Sequence, residues 1–366
     1  MQKIKNIAII GGGNGGQAFA GYLSMSGYNV RLFDVVQATV DKINAKGGVE
    51  LTGNPEVIPA KCLGFGKIDF ASTDMAKVVE GADFIMVILP SIYHESIAKQ
   101  LAPLLKDGMT VLLNPNASLG AVHFRKILND CGCKADILLG ACSTLLFACR
   151  AVEPGHVALS GYKATLTATA LPSSRNAEME EKIGYIFPEY KFQGHDIIEV
   201  SLDNINAFVH PGPTLLNLGS IERGETFRYY LDFTPGQGAF CDAIDKERVA
   251  IAKAYGIDLP TIVEEYHEQY NSKGDNVYEV MTTCPGYEGI MGPKSIHGLR
   301  YLEEDIPFSL EAICAMADIA GVPTPICHAV IAIGRGIRPD LAEGRTAKNL
   351  GIEGMTKEEF EKLCRG

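Results

Sequence analysis

The sequence lacks the features that would tie it to a membrane, a secretory route or a nucleic acid. Its N-terminal apolar run goes from Ile7 to Gly11, five residues. That is too short for the core of a signal peptide and far too short to span a bilayer. No block of basic residues occurs: 33 Lys and Arg stand against 44 Asp and Glu, for a net charge of −11. Such a chain has little with which to neutralise phosphates, so nucleic acid is not an expected partner. The ten cysteines are scattered, and the close pair Cys131-Gly-Cys133 is neither a CxxC nor a zinc knuckle. They read as reduced thiols of a cytoplasmic protein. There is no HExxH and no EF-hand loop, so no metal site is expected. No internal repeat and no low-complexity segment interrupts the chain.

What is present is ordinary globular material. Hydrophobic residues make up 46% and charged residues 21%, a balance that excludes a disordered chain. The length of 366 residues corresponds to two domains at about 150 residues each. In the first half, short apolar runs (5–10, 28–33, 84–89, 109–114, 137–141) alternate with amphipathic stretches (16–27, 37–45, 92–105). This β-α-β rhythm predicts a doubly wound, mostly parallel sheet. Residues 47–69 suggest a small strand excursion, 156–171 a hairpin turning at Gly161, and 175–186 a helix. Beyond about residue 187 long helical patterns dominate: 203–222, 242–255, 259–271, 310–320 and 326–337. The expected fold is therefore an α/β domain over 1–186 followed by an all-α domain over 187–366.

The strand at 5–10 runs into Gly11-Gly-Gly13-Asn14-Gly15-Gly16, and a helical stretch follows. A GxGxxG alone is weak in a chain with 39 glycines, but the strand before it and the helix after it supply the context of a dinucleotide loop. Gly11 permits the tight turn, Gly13 lets backbone approach a pyrophosphate, and Gly16 allows close packing of helix on strand. The free N–H groups of the helix start then face the anion. An acid is also needed at the end of the second strand, and Asp34 stands there, 18 residues after Gly16. Its carboxylate would accept the ribose hydroxyls and repel a 2′-phosphate, which favours NAD over NADP. Arg31 complicates that reading, yet the residue after Asp34 is Val35.

Hydride transfer to a carbonyl or imine needs a proton donor. Of eight histidines, His210 stands apart. Helical spacing puts Asn206, His210 and Thr214 on one face, with Asn217 close by, in a segment without formal charge between Asp203 and Glu222. Pro211 and Pro213 must bend or break the helix there. Periodicity alone leaves two readings equally open: a working histidine, or a core histidine bonded to a neighbour.

The chain resembles the opine dehydrogenase family of octopine and nopaline dehydrogenase type. The likeness rests on the dinucleotide start, Asn114-Pro115, Thr144-Leu-Leu-Phe-Ala-Cys-Arg150, Asn206-Ala-Phe-Val-His210-Pro, and Arg300-Tyr-Leu-Glu-Glu-Asp305-Ile-Pro. It covers essentially the full length. It implies an NAD(P)H-dependent reductive condensation of an amino acid amine with a 2-oxo acid, and its reverse. It implies a catalytic pair, here His210 and Asp305, and a carboxylate-binding arginine, here Arg300. A carboxylate on one imidazole nitrogen fixes the tautomer and leaves the other to handle a proton; an arginine clamps a carboxylate with two parallel bonds. Without the resemblance Asp305 would read as a helix cap before Ile306-Pro307 and Arg300 as a surface side chain. Thr144, Ser118 and Asn206 are further candidates to bind substrate. The chain departs from the family at Leu146-Phe147, where Pro-Tyr is usual, and at Asn116, often Gly. Both segments are expected to border the substrate. The rival reading is a reductase of a simple 2-oxo acid or ketone, of ketopantoate reductase or glycerol-3-phosphate dehydrogenase type. It implies a lysine on the first helix of the second domain, and none occurs between Asp203 and Glu222. A serine hydrolase reading of Ser96-Ile-Ala-Lys99 lacks its KTG partner. A homodimer is expected by analogy.

Overall fold

The computed structural model describes residues 3–366. The chain divides into two compact units, one running through Val200 and including Lys362–Gly366, the other Ser201–Glu361.

Among the described residues, twelve strands lie in the first unit: β1 (Asn6–Ile10), β2 (Asn29–Phe33), β3 (Gly48–Gly53), β4 (Gly64–Lys67), β5 (Phe70–Ser72), β6 (Phe84–Val87), β7 (Thr110–Leu113), β8 (Leu138–Cys142), β9 (Phe147–Glu153), β10 (His156–Tyr162), β11 (Leu166–Ala170) and β12 (Tyr190–Lys191). Eight form one sheet in the order β12-β11-β8-β7-β6-β1-β2-β5. All its pairings are parallel except β8 with β11. Strands β6, β7 and β8 are buried at every residue, as their continuous apolar runs require of strands covered on both faces. The connections leave β1 in one direction to β2 and in the other to β6, so β1 sits at the point where strand order reverses. Ligands bind outside the carboxyl ends of strands at such a point. The helix Asn14–Met25, the loop 114–119 and the segment 143–146 all begin at those ends.

The excursion expected at 47–69 is half of a second sheet, β4-β3-β10-β9. The hairpin expected to turn at Gly161 is displaced. Strands β9 and β10 form it, and Pro154-Gly155 makes the turn, with Gly155 at φ +83°. Gly161 marks an irregularity in the register, the other role a glycine takes inside an alternating strand. Strand β11 leaves the hairpin for the main sheet. Phe19, Tyr22, Phe147 and Phe187 pack edge to face between the two sheets' inner residues, with ring centroids 5.2–5.9 Å apart.

The compact unit continues past residue 187, where the sequence texture changes. Strand β12 lies beyond that point, and the Asn176 amide donates to the carbonyls of Phe192 (2.6 Å) and His195 (2.7 Å). The last residues return to the same unit, where Arg365 Nε donates to Asp196 at 2.7 Å.

The second unit is helical; among the described residues its strand pairing is a single bridge, Arg228 with Met291. Its longest helix, Pro235–Ala254, starts earlier than the expected 242 because Thr234 and Gln237 form a capping box ahead of Pro235. Arg248, fully buried, donates to Asp245 (2.6 Å) and to the carbonyls of Leu202 and Pro260. The stretch 203–222 is not one helix but three short ones, Asn206–Val209, Pro211–Leu216 and Leu218–Glu222. Proline 211 has no N–H to continue the ladder, and His210 sits at the joint with φ −100° and ψ −63°.

Candidate active site

The glycine loop has the geometry its spacing predicts. Gly11 adopts φ +117°, and a Cβ there would meet Ile88 O at 2.4 Å. A Cβ on Gly16 would lie 1.6 Å from Gly11 O, so no other residue fits without moving backbone. Gly13 is exposed, and a Cβ there would meet nothing within 4 Å; the space over it is open for a pyrophosphate. Gly15 borders Ile88 and Leu145. Asp34 Oδ2 accepts the Gly12 N–H (2.8 Å) and Oδ1 accepts the Val36 N–H (2.7 Å). Each oxygen keeps a lone pair for a ribose hydroxyl. Val35 and Val36 lie exposed beside it. Arg31 points elsewhere, onto the Glu80 carbonyl and toward Asp69.

Two side chains brace this loop. Asn14 Oδ1 accepts the Ala151 N–H of β9 at 2.9 Å. Buried Gln17 donates to Gly12 O (2.6 Å) and accepts the Gly155 N–H (2.7 Å). Gln17 escapes sequence reasoning, although a lone amide behind a glycine loop in an otherwise apolar helix start was its signal.

Ser118 is buried in the loop after β7, and Thr144 is half-buried after β8. Leu146 and Phe147 are buried in the core, Phe147 against Phe19 and Tyr22. Asn116 Oδ1 accepts the Ala121 N–H at 2.9 Å and so ties down the start of the helix Gly120–Asp130. The Ser96–Lys99 motif lies on the helix His94–Leu101, where Lys99 is exposed and paired with Glu95.

In the helical unit His210 and Asp305, 95 residues apart, meet: Nδ1 lies 2.8 Å from Oδ2. Asp305 stands at the head of the π-type turn Ile306–Leu310 but makes no side-chain cap bond. Its carboxylate serves the imidazole instead. Burial pushes the Asp305 carboxyl above its ordinary range, and the hydrogen bond from His210 partly offsets this. A carboxylate only accepts, so Nδ1 carries the proton. In the neutral ring Nε2 is then an acceptor, and the Tyr230 hydroxyl, 2.8 Å away, is its donor. The Tyr301 ring stacks on the imidazole at 3.9 Å and 22°. Tyr229 donates to the His210 carbonyl (2.7 Å) and contacts Thr214 Oγ1 (2.8 Å). The polar stripe is thus resolved into two fates: His210 and Thr214 are buried and joined through Tyr229, and Asn206 is exposed. Arg300 lies one turn before Asp305, its side chain 69% exposed, with Nε 2.5 Å from Glu304. The tyrosines that surround His210 were not singled out from sequence, because nothing in Tyr229-Tyr230 indicates contact with a residue some twenty positions earlier.

A phosphate-binding glycine loop at the switch point of a doubly wound sheet, followed by a helical unit with a histidine–carboxylate pair, defines an NAD(P)-dependent oxidoreductase. Residues 6–114 match the NAD-dependent glycerol-3-phosphate dehydrogenase N-terminus. Residues 193–338 match the NAD/NADP octopine/nopaline dehydrogenase alpha-helical domain. The chain is 35% identical to the opine dehydrogenase of Arthrobacter sp. (strain 1C) over 97% of its own length and 98% of the relative's. It is 25% identical to the octopine dehydrogenase of Mizuhopecten yessoensis, over 87% and 86%. Its fold matches octopine dehydrogenase solved with NADH and L-arginine (TM-score 0.81, 22% identity, 97% of each chain). It also matches yersinopine dehydrogenase with NADP+ bound (0.72, 14%, 99% of each). The chain belongs to the opine dehydrogenase family. It is an NAD(P)-dependent oxidoreductase of the type that acts on secondary amine or imine substrates.

Proposed function

We propose that this enzyme condenses an amino acid with a 2-oxo acid such as pyruvate, with NADH preferred over NADPH, and that His210 and Asp305 are its acid–base pair. The observation that carries the reading is the 2.8 Å contact between His210 Nδ1 and the buried Asp305 carboxylate. It fixes the imidazole's tautomer and compensates the positive charge of the protonated ring. Relatives of the same fold were solved with NADH together with L-arginine or pyruvate.

Gly11, Gly13, Asn14, Gly15, Gly16 and Asp34 would hold the dinucleotide, which supplies the hydride when bound. The remaining work falls to side chains. His210 gives a proton to the imine nitrogen as the amine forms, and takes one in the reverse direction. Asp305 orients and stabilises the ring through both states. Arg300 holds a substrate carboxylate. It must leave Glu304 to do so, whose side chain is 10% exposed against 69% for Arg300, and a substrate carboxylate competes by offering two parallel bonds to the guanidinium. Ser118 and Thr144, at the carboxyl ends of β7 and β8, bind the oxo acid, and exposed Asn206 is a further substrate contact. NAD is favoured because Asp34 would repel a 2′-phosphate and Val35 and Val36 offer no cation to it. A cytoplasmic homodimer completes the reading. Leu216 and Ile333, both more than half exposed on the helical unit, support the dimer, and light scattering tests it.

The deciding assay follows NADH oxidation with a 2-oxo acid, with and without a panel of amino acids. Oxidation that requires both components is the expected result. Oxidation with the oxo acid alone would make this a hydroxy-acid dehydrogenase. His210→Ala should bind NADH and lose most turnover; full turnover in that variant removes the acid–base assignment.

A further inference from the structure

Asp305 stands at the head of the turn Ile306–Leu310, which is wound in the π manner. Such a turn holds more residues than an α-turn, and Pro307 within it has no N–H to give to the helix ladder. Its own bonds therefore hold it less firmly than an α-turn, and its winding decides where Asp305 points. Each residue advances a helix by about 100°, since 3.6 make a turn. Relaxation by one residue would swing the Asp305 carboxylate away from the imidazole that it now meets at 2.8 Å. What fixes the winding comes from further along the helical unit. The Arg345 N–H donates to Pro307 O at 2.7 Å, and its Nη1 donates to Phe308 O at 3.1 Å. The guanidinium lies 5.8 Å from the centre of the Phe308 ring. Arg345 is fully buried, and burial holds its guanidinium below the ordinary arginine range. The stretch that carries it comes close to the turn: a Cβ on Gly344 would lie 1.9 Å from Pro307 O. Arg335 ties the same stretch down, since it pairs with Glu311 (2.6 Å) and donates to Ala342 O (3.0 Å).

We propose that Arg345 is a positioning residue for the acid–base pair: by gripping the Pro307 and Phe308 carbonyls it keeps the π-turn wound, and so aims Asp305 at His210. The inference rests on the assignment of His210 and Asp305 as that pair. The action of Arg345 passes through the backbone of the turn to the carboxylate two residues before Pro307. An arginine suits this task. Its planar fork presents N–H donors in fixed directions, where a lysine offers a single ammonium on a flexible stem. Carbonyl oxygens are the negative ends of peptide dipoles, so they offset part of the cost of burying the charge. A buried cation is costly to leave without acceptors. Any rewinding that takes the two carbonyls out of reach therefore carries that penalty, and the turn is stiffened beyond what its own ladder supplies.

The test is a double-mutant cycle on the full-length enzyme: parent, Arg345→Met, Asp305→Asn and the double variant. Single-turnover NADH oxidation is followed with pyruvate and the amino acid that gives the fastest turnover in the assay above. The rate is taken per NADH-binding site, counted by fluorescence, so that unfolded protein does not enter. Arg345→Met should bind NADH as the parent does and lose roughly 10²-fold in rate, the usual effect of misplacing a reacting group by about 1 Å. In the Asp305→Asn background the same change should cost nothing further, because the group it aims is already gone. Losses that multiply mark an arginine acting independently of Asp305, and they overturn the proposal. So does a parental rate in Arg345→Met. A parental rate in Asp305→Asn instead overturns the acid–base pair itself. Should Arg345→Met fail to fold, Arg345→Lys, which keeps the charge but not the fork, takes its place in the cycle and is judged by the same outcomes.

Discussion

Replacing Asp305 by Asn separates the catalytic reading of this carboxylate from a structural one. The asparagine has the same shape and keeps a polar atom at the position of Oδ2, 2.8 Å from His210 Nδ1. It differs in two respects. It carries no charge to compensate an imidazolium, and its amide can donate to Nδ1, which would leave the proton on Nε2. The lost term is one charge-assisted hydrogen bond, about 1.5–3 kcal/mol. At about 1.4 kcal/mol per tenfold that predicts a fall in kcat of roughly 10- to 150-fold from charge alone, and more from the reversed tautomer. Stability should move the other way or not at all. Burial raises the Asp305 pKa, so folding makes this carboxyl harder to ionise than it is in the unfolded chain. The stabilising contribution of such a group is complete below the unfolded pKa and is lost as pH rises through the folded one. At neutral pH the buried charge costs stability, and Asn removes that cost. Steady-state kinetics and a thermal melt on the same protein make the check: kcat falls, Tm does not. Unchanged kcat would refute the role of Asp305, and a large drop in Tm would restore it to a purely structural one.

Other perturbations test other parts. Asp34→Ser should weaken NAD more than NADP, although both lose some affinity because the carboxylate also accepts the Gly12 and Val36 N–H groups; equal losses in titrations of the two cofactors would remove the ribose assignment. Gly16→Ala places a methyl 1.6 Å from Gly11 O, so calorimetry should find dinucleotide binding abolished. Arg338, buried, holds Asp340 at 2.7 Å and Glu303 at 2.8 Å, and its guanidinium lowers both carboxyls, Asp340 from 3.8 to about 2. Their contribution is present above the unfolded pKa values and is lost as pH falls through the folded ones. The melting temperature of Arg338→Ala should therefore be lower at neutral pH and flatter than the parent's between about pH 4.5 and 2.

Legibility from sequence followed the range of the interactions. The unit from β1 through Asp34 was readable because each cue is local: an apolar run, a glycine spacing, a helical period, an acid at a strand end. The hairpin was misplaced because a glycine in an alternating run serves as turn or as bulge, and only pairing decides. Leu146 and Phe147 were legible as apolar residues, and their burial in the core follows from that chemistry. His210 was visible as an oddity in an apolar segment and no more. Its bond to Asp305 spans 95 residues and follows no period, so only likeness to a family indicated it. Tyr230 carried no signal at all, since its importance is a matter of where a phenol oxygen comes to rest.

The braces on the glycine loop bear on the cost of binding. Asn14 and Gln17 fasten the loop to Ala151 and Gly155 of the second sheet, and Asp34 fastens Gly12. The backbone amides that would face a pyrophosphate are therefore ordered when the protein folds, not when the dinucleotide arrives. The entropy of fixing them is already charged to folding, and little of the affinity is lost to ordering the site. The small second sheet, which has no part in the parallel core, thus serves as the loop's scaffold. Loosening the turn at Gly155 would be felt first as a weaker grip on the cofactor.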